Sequence, residues 1–311
     1  GKAQPYSAKI LTPEGWIKMG DVKIGTIVST PNGGTAKVIA IHEQGMKKVN
    51  KIITSDGCST ECCDDHLWKV YYKKRDRTWI KGGYDERIMD TVTIKKRLRH
   101  GNIAFVPTVI EQEFGGKFDN YMTAYSWGYY IRNIMPDPNN FKRSNHTEIP
   151  QDLVTSSLED RKNFLKGLLK EVNIRNNGKY EFMSRSEKFA NQLVDILRSV
   201  GAIATITKSK GKGTVIKYYV RFSFDPRFNK MIKPTITPEH RRYIRQVIEL
   251  DDPKECRCIT LDSDEQLYIT DDFLVTHNSY IGSAWLVSSC MRFPNIRAVV
   301  ARKTIKSLKE S

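Results

Sequence analysis

The chain has 311 residues, and its 51 Lys and Arg against 35 Asp and Glu give a formal net charge of +16 at pH 7. A hydrophobic fraction of 39% excludes disorder of the whole chain, and no run of about 18 apolar residues is present to span a membrane. Six cysteines are too few for a disulfide framework, and the first residues lack the apolar stretch of a secretory signal. These features predict a cytoplasmic protein.

The first hundred residues have the pattern of short strands. Residues 35–41 and 49–54 alternate between apolar and polar side chains, and each run is preceded or followed by a turn pair, Asn32-Gly33 or Asp56-Gly57. Turn signals about every ten residues, without a helical period, predict a β-rich domain. The basic, aromatic-rich stretch 69–99 is open to two interpretations, a nucleic-acid surface or a solvated face.

Helical patterns follow between residues 121 and 250. Two Ser–Glu pairs with capping-box spacing predict helices, and a Thr-Pro-Glu sequence predicts the start of a third. These signals are Ser156 with Glu159, Ser184 with Glu187, and Thr237-Pro238-Glu239. Residues 214–224 again alternate like a strand, as do 258–261 and 267–270. The simplest organisation is a β domain in two pieces, separated by an α+β insert.

The sequence His277-Asn278-Ser279 carries the residue types needed to break and remake a peptide bond. The side-chain amide of Asn278 can attack its own backbone carbonyl, which closes a succinimide and cleaves the following bond. His277 can transfer a proton to the leaving amine. Ser279 supplies a hydroxyl that can accept an acyl group.

Joining the two ends of the chain would create a second motif. If residues 3–278 were removed, Gly1-Lys2 would precede Ser279, and Gly-Lys-Ser ends a phosphate-binding P-loop. The apolar run at 279–289 predicts the helix that such a loop opens, and 296–301 predicts a buried strand.

Four stretches in order resemble the splicing blocks of inteins: residues 9–25, 55–68, 256–262 and 267–278. Counting back from the first block by the family's spacing places the first intein residue at Ala3, the junction that the P-loop also indicates. The chain therefore resembles an intein over residues 3–278 with host sequence on both sides. The resemblance implies the Hint fold, a mostly β, horseshoe-like and discontinuous domain that holds the two junctions close together.

The resemblance divides the chain into five parts. They are a host flank at residues 1–2, the first part of the splicing domain at 3–115, an insert at 116–250, the last part of the splicing domain at 251–278, and a host segment at 279–311. The host segment, with Arg302-Lys303-Thr304 after its predicted strand, resembles the ATPase of phage terminase large subunits.

The resemblance also assigns roles and shows departures. His66 is the block histidine that polarises the upstream scissile peptide, and Cys63 stands where the family usually has Thr. Gln266 replaces a histidine of the penultimate block, so cyclisation of Asn278 is expected to rely on His277 and backbone groups. Ala3 replaces the usual first Cys or Ser and cannot attack the Lys2 carbonyl.

Two explanations of Ala3 remain open at this stage. The chain resembles a class 3 intein, in which a late cysteine makes the first attack, because Trp68, Cys258 and Thr276 match the three residues typical of that class. Alternatively, Ala3 is an engineered replacement of a cysteine that holds the precursor unspliced. In either case the acyl group passes to Ser279, Asn278 cyclises, and Lys2 becomes joined to Ser279.

Residues 149–169, and more weakly residues 126–133, resemble the motif regions of LAGLIDADG homing endonucleases, so the insert resembles a shortened member of that family. Each motif of that family supplies one acidic residue that holds a metal at a helix interface. Here the corresponding positions are Asn133 and Val172, and Gly128 and Gly167 are 39 residues apart (167 − 128), too close for a full repeat between them. Neutral Asn is a poor cation ligand and Val is none, so the resemblance implies lost cleavage with possible residual DNA binding.

The expected splicing reaction needs no cofactor, and ATP and Mg²⁺ would serve only the ligated host protein. The element would act in cis on its own flanks, as a monomer without membrane association. Competing interpretations are a working or DNA-binding-only homing endonuclease and a basic nucleic-acid-binding module. A thiolate zinc site is a further alternative for the cysteines, although neither C-x₃-C-C nor C-x-C has the usual CxxC spacing.

Overall fold

The computed structural model describes residues 2–73, 84–134, 148–170, 179–210, 216–224 and 242–278. The strands before the insert are β1 Gln4–Pro5, β2 Lys9–Thr12, β3 Gly15–Lys18, β4 Ile27–Ser29, β5 Thr35–Lys47, β6 Val49–Thr54, β7 Ser59–Cys63, β8 Leu67–Lys73, β9 Tyr84–Asp90 and β10 Ala104–Val106. The later strands are β11 Lys179–Ser184, β12 Ile203–Lys210, β13 Ile216–Ser223, β14 Arg242–Glu249, β15 Lys254–Leu261, β16 Leu267–Thr270 and β17 Leu274–His277. The helices are α1 Thr91–Arg99, α2 Ala124–Ile134, α3 Gln151–Val154, α4 Leu158–Leu169 and α5 Glu187–Ser199.

Strands from both ends of the chain alternate within the same sheets. One sheet has the order β1-β15-β5-β4, and the larger one has the order β3-β2-β16-β17-β8-β10-β14-β6-β7, with β9 paired to β8. Neither end can form these ladders alone, because β15, β16 and β17 lie between strands from the first hundred residues. The expectation of a mostly β fold built from two pieces of chain is confirmed.

Alternating patterns located several strands correctly. Residues 49–54 and 267–270 form β6 and β16 with the predicted bounds, and β13 lies within the predicted 214–224. The pattern at 35–41 marks only the start of β5, which continues to Lys47. The continuation has a register shift opposite Cys256 and Arg257, so its side chains lose strict alternation.

The helix predicted to begin at Thr237 is wrong over its described part. Thr237 lies outside the described residues, and β14 runs from Arg242 to Glu249 between β10 and β6. Pairing on both sides, with Ile244 fully buried, outweighs the local capping signal. The chain is thus back in the large sheet before residue 251, where the sequence placed the return of the splicing domain.

A helix was missed among the first hundred residues, which were expected to form strands. Helix α1 begins at Thr91 and is capped by Asp90, whose carboxylate accepts from the Thr93 amide at 2.6 Å. Of its nine residues, Thr91 and Ile94 are buried. A single apolar contact of this kind gives too weak a period to detect in sequence. Residues 74–83 of the basic stretch lie outside the described part.

The two predicted capping boxes locate their helices but not the capping serines. Helix α4 is capped by Ser157, whose hydroxyl accepts from the Asp160 amide, and α5 is capped by Ser186. Ser156 instead donates to the Leu153 carbonyl at 2.8 Å. In both cases a neighbouring serine takes the cap because the helix starts later than the Ser–Glu spacing indicates.

The helices of residues 116–224 share a core of their own with a three-stranded sheet, β11-β13-β12. Helices α2 and α4 cross at glycines: a Cβ added to Gly128 would lie 2.0 Å from the Phe164 carbonyl oxygen, and one added to Gly167 would lie 2.1 Å from the Tyr125 oxygen. The two backbones therefore touch directly. Within the described ranges, no helix has the length and apolar character needed to cross a membrane.

The close crossing predicts a large cost for any side chain at Gly128. Gly128→Ala should lower the free energy of unfolding by about 2–4 kcal/mol, because the helices must separate. Gly115→Ala is the matched control, since its added Cβ meets nothing within 4 Å, and it should stay within about 0.5 kcal/mol of the parent. Urea unfolding followed by circular dichroism at 222 nm measures both. Equal stability of the two variants would contradict the observed helix contact.

Candidate active site at the two chain junctions

The peptide bond between Lys2 and Ala3 is contacted by Cys63, the last residue of β7, and by His66, which lies between β7 and β8. The Nδ1 atom of His66 lies 3.2 Å from the Lys2 carbonyl oxygen. The Ala3 amide donates to Cys63 Sγ at 3.1 Å, and the Cys63 amide donates to the Ala3 carbonyl at 3.0 Å. Ala3 and His66 are both fully buried. The bond is thus fixed in a site removed from water.

Hydrogen bonds determine which nitrogen of His66 carries the proton. Because a carbonyl oxygen can only accept, Nδ1 must donate to Lys2, and Nε2 is then the acceptor for the hydroxyl of Thr276. Burial lowers the pKa of His66 to about 3, so the ring is neutral at physiological pH. A neutral N–H donor therefore points at the Lys2 carbonyl oxygen, where negative charge would develop during nucleophilic attack.

The second junction lies in the same pocket because β17 pairs with β8. His277 is the register partner of Leu67, the residue after His66, and this pairing brings Thr276 onto the imidazole. Asn278 follows directly, and its amide donates to the Gln266 carbonyl at 2.7 Å. The side chain of Gln266 is occupied elsewhere, on the backbone of Leu261 and Ser263. The backbone of Gln266 therefore positions Asn278, while the reliance of its cyclisation on His277 and backbone groups stays a prediction.

Cys258 contacts the second junction and lies opposite the first. Its thiol donates to Asn278 Oδ1 at 2.9 Å. Strands β1 and β15 pair Pro5 with Cys256 and Gln4 with Arg257, so continuing the register places Cys258 across from Ala3. Residues directly opposite in an antiparallel pair have Cβ atoms about 4.5–5.5 Å apart. Burial raises the pKa of the Cys258 thiol to about 11, so the thiol is protonated at neutral pH.

His277 has a ring nitrogen that the fold does not use. Its Nδ1 atom is buried and has no hydrogen-bond partner among the described residues. Burial, together with the positive charges of Lys2 and Lys69, lowers the pKa of His277 to about 4. A neutral imidazole next to Asn278 is thus available for proton transfer at this junction.

Trp68 packs against His66 rather than only filling the core. Its ring makes an edge contact with the imidazole at 5.5 Å between centroids and 69° between planes. The indole Nε1 donates to the Thr91 hydroxyl at 3.1 Å. Thr91 was missed in the sequence because it begins a helix that no period revealed.

The remaining thiols lie in separate environments. Cys256 donates to the Lys254 carbonyl at 3.2 Å, Cys62 contacts Thr91, and Cys58 lies near the guanidinium of Arg242. In the part of the chain that the structure describes, no three His, Cys, Asp or Glu residues are grouped so that they could hold a metal ion. The geometry gives the zinc interpretation no support among these residues.

Most of the sequence-predicted site residues meet in this pocket, although their chemical roles stay predictions. The residues brought together are Lys2, Ala3, Cys63, His66, Trp68, Cys258, Thr276, His277 and Asn278. Ser279 and Val172 lie outside the described residues. Asn133 lies on α2, where its exposed amide donates to the Tyr129 carbonyl of the same helix at 2.8 Å.

Solved structures similar to this chain include several inteins. The MchDnaB-1 intein matches with 12% identity and a TM-score of 0.34, covering 88% of this chain and 99% of that one. The gp41-1 intein matches with 12% identity and 0.33, covering 89% and 99%, and the DnaX mini intein from Spirulina platensis with 10% and 0.31, covering 89% and 99%. No protein-family model and no curated protein matches the sequence.

The protonation state of His66 is open to direct measurement. We expect a neutral Nδ1–H tautomer from pH 8 down to about pH 4, because burial holds the pKa near 3. Long-range ¹H–¹⁵N spectra of histidine-labelled protein report the tautomer, with His66→Gln assigning the signal. In Thr276→Val, where Nε2 loses its donor, the Nδ1–H form should persist, because the Lys2 carbonyl still requires a donor. An imidazolium signal from His66 at pH 6 would contradict the assigned geometry.

Proposed function

We propose that residues 3–278 excise themselves and join Lys2 to Ser279, which is protein splicing. The observation that carries this proposal is the position of His66, which donates to the Lys2 carbonyl while accepting from Thr276. The imidazole of His66 therefore contacts the peptide bond proposed to break at the start of the element and also a residue near its end. The Cys258 thiol adds a second link, since it lies opposite Ala3 and contacts Asn278.

The first step is attack of the Cys258 sulfur on the carbonyl carbon of Lys2. A thioester forms between Lys2 and Cys258, the bond to the Ala3 nitrogen breaks, and the thiol proton passes to that amine. His66 Nδ1–H stabilises the oxyanion of the tetrahedral intermediate. Cys63 Sγ, 3.1 Å from the Ala3 nitrogen, orients the leaving group. Ala3 has no nucleophilic atom in its side chain, so in this chain the first attack is assigned to Cys258.

The later steps transfer the acyl group and release the element. The Ser279 hydroxyl attacks the thioester, which forms an ester and returns the proton to the Cys258 sulfur. The side-chain nitrogen of Asn278 then attacks the backbone carbonyl carbon of the same residue and closes a succinimide. The Ser279 amine leaves with a proton supplied through His277. That amine attacks the ester carbonyl, so an amide joins Lys2 to Ser279 and the serine hydroxyl is regenerated.

The hydrogen bond from Cys258 to Asn278 restrains the second junction before the first step. As long as the thiol carries its proton, it holds Oδ1 of Asn278 at 2.9 Å and restrains the carboxamide. Cleavage of the bond after Asn278 is therefore slowed in the unreacted chain. Formation of the thioester removes the thiol proton, and transfer of the acyl group returns it only when the ester at Ser279 has already formed.

The ligated product would contain Gly1-Lys2-Ser279, the end of a P-loop. Residues 279–311 lie outside the described residues, and their assignment to a terminase-like ATPase of a phage is part of the proposal. The unspliced chain lacks this loop and should not hydrolyse ATP. ATP and Mg²⁺ thus belong to the host protein, and the splicing steps above use only side chains and backbone of this chain, acting in cis in the cytoplasm.

We also propose that the insert is a LAGLIDADG-type remnant that no longer cuts DNA. The direct crossing of α2 and α4 at Gly128 and Gly167 supports a helix pair of that kind. At the end of α2, the motif position is occupied by Asn133, which is neutral and bonded to its own helix. DNA affinity through the basic surface of the insert, without cleavage, is the alternative activity.

Splicing is tested with the full chain fused behind a carrier protein that precedes Gly1. We expect intact mass to show the excised element of residues 3–278 and a carrier–host product joined through Lys2 and Ser279. Cys258→Ala should abolish ligation because the nucleophile is absent. Asn278→Ala should stop after acyl transfer, leaving a branched ester. Cys256→Ala is the matched control, because Cys256 lies on the same strand and its thiol donates to the Lys254 carbonyl.

Each result bears on a defined part of the proposal. Absence of ligated or cleaved product in the parent and in every variant would reject splicing. Ligation by Cys258→Ala at the parental rate would reject the role of Cys258. Activity that appears only after Ala3→Cys would move the first attack to position 3.

The hydrogen bond from Cys258 to Asn278 predicts that two replacements of Cys258 differ in the rate of cleavage after Asn278. Cys258→Ala removes the donor to Asn278 and should cleave after Asn278 about tenfold faster than Cys258→Ser, whose hydroxyl keeps the hydrogen bond. Cleavage after Asn278 is followed by mass over time at pH 7, with Cys256→Ala against Cys256→Ser as the paired control. Equal rates for the two Cys258 variants would show that the hydrogen bond does not restrain Asn278.

A further inference from the structure

We infer that Thr91 is a positioning residue that holds His66 against the Lys2 carbonyl, an inference that rests on the proposed splicing. Thr91 is the first residue of α1 and is 1% exposed. Within the described residues the hydrogen bonds of its amide and hydroxyl go to Cys62, His66 and Trp68, and none goes to a junction residue. Its effect on the reaction must therefore pass through His66.

The backbone of His66 is anchored by two donors from Thr91. The Thr91 amide donates to the His66 carbonyl oxygen at 3.0 Å, and the Thr91 hydroxyl donates to the same oxygen at 3.2 Å. Two donors converging on one carbonyl fix the peptide plane that follows His66. Fixing this plane also fixes the direction in which the imidazole leaves the chain.

The Thr91 hydroxyl also acts on the ring of His66 indirectly, by holding Trp68, which packs against that ring. After its proton is given to the His66 carbonyl, Oγ1 can still accept two hydrogen bonds. It receives the Trp68 indole N–H at 3.1 Å and lies 3.3 Å from the Cys62 thiol. Trp68 in turn places its ring edge against the imidazole. One hydroxyl thus sets both the backbone and the packing partner of His66.

Helix α1 does not need this hydroxyl for its own structure. The cap is supplied by Asp90, and the apolar contact to the sheet is supplied by Ile94. All three contacts of the Thr91 hydroxyl go to the segment that contains Cys62, His66 and Trp68. An isosteric Val therefore keeps the shape of the helix start and the amide hydrogen bond to His66, and removes the hydroxyl contacts to the His66 carbonyl, Trp68 and Cys62.

Substitution of Thr91 should slow only the first step, the attack at the Lys2–Ala3 bond. Loss of one fixed oxyanion donor costs about 100-fold to 1,000-fold in rate in other enzymes. In Thr91→Val the donor stays but is less well aimed, so we expect a loss of about 10-fold to 100-fold. Thr91→Ser keeps the hydroxyl and should stay within about threefold of the parent.

The experiment separates the two junctions. In an Asn278→Ala background, hydroxylamine traps the Lys2 acyl group and reports the first step. In a Cys258→Ala background, cleavage after Asn278 reports the other junction, where the proposed proton transfer is through His277. We expect Thr91→Val to slow only the first readout and Thr91→Ser to restore it. Urea unfolding of each variant verifies that the fold is retained.

Three outcomes would overturn the inference: an unchanged first step in Thr91→Val, no recovery in Thr91→Ser, or equal slowing at both junctions. A parent that never forms the thioester would instead reject splicing itself. In that case the His66 Nδ1–H proton signal still tests Thr91. It should be protected from solvent exchange in the parent and in Thr91→Ser and lost in Thr91→Val, and protection in all three would reject the positioning role.

Discussion

One neutral imidazole, buried between the two ends of the chain, sets the requirements for the rest of the fold. A ring with one donor and one acceptor satisfies the Lys2 carbonyl and the Thr276 hydroxyl in only one orientation. Burial keeps it uncharged, so the donor stays on Nδ1 over the physiological range. Strand β17 lies beside β8 in the large sheet and so brings Thr276 to the imidazole, whereas β1, which follows Lys2 and Ala3, lies in the other sheet.

The same burial that keeps His66 neutral also raises the pKa of the Cys258 thiol to about 11. Only about one thiol in ten thousand is then ionised at pH 7, which would slow the proposed attack on Lys2. The proposed reaction occurs once per molecule and does not require rapid turnover, and the His66 Nδ1–H that faces the Lys2 carbonyl would stabilise the charge that develops there. The protonated thiol also donates to Oδ1 of Asn278 and restrains that side chain.

Sequence reasoning located residues whose chemistry is local and missed those whose role is made by tertiary contacts. His66, Cys258 and Asn278 stand in short motifs, and strand β6 has a clean alternating pattern. The positioning role inferred for Thr91 could not be predicted from the sequence, because its hydroxyl contacts His66 and Trp68 only through the packing of α1 against that segment. Strand β14 was taken for a helix because pairing on both of its edges, invisible in sequence, decides its conformation.

The chain leaves the large sheet at Val106 and returns to it at Arg242, and these residues are register partners on neighbouring antiparallel strands. The ends of the intervening segment are thus held only a hydrogen bond apart, whatever lies between them. For a flexible connection between such ends, each doubling of its length would cost only about 0.6 kcal/mol of closure free energy. Insertions and deletions between Val106 and Arg242 should therefore be tolerated during evolution. If the backbone were cut in this segment, pairing of β10 with β14 would still hold the two fragments together.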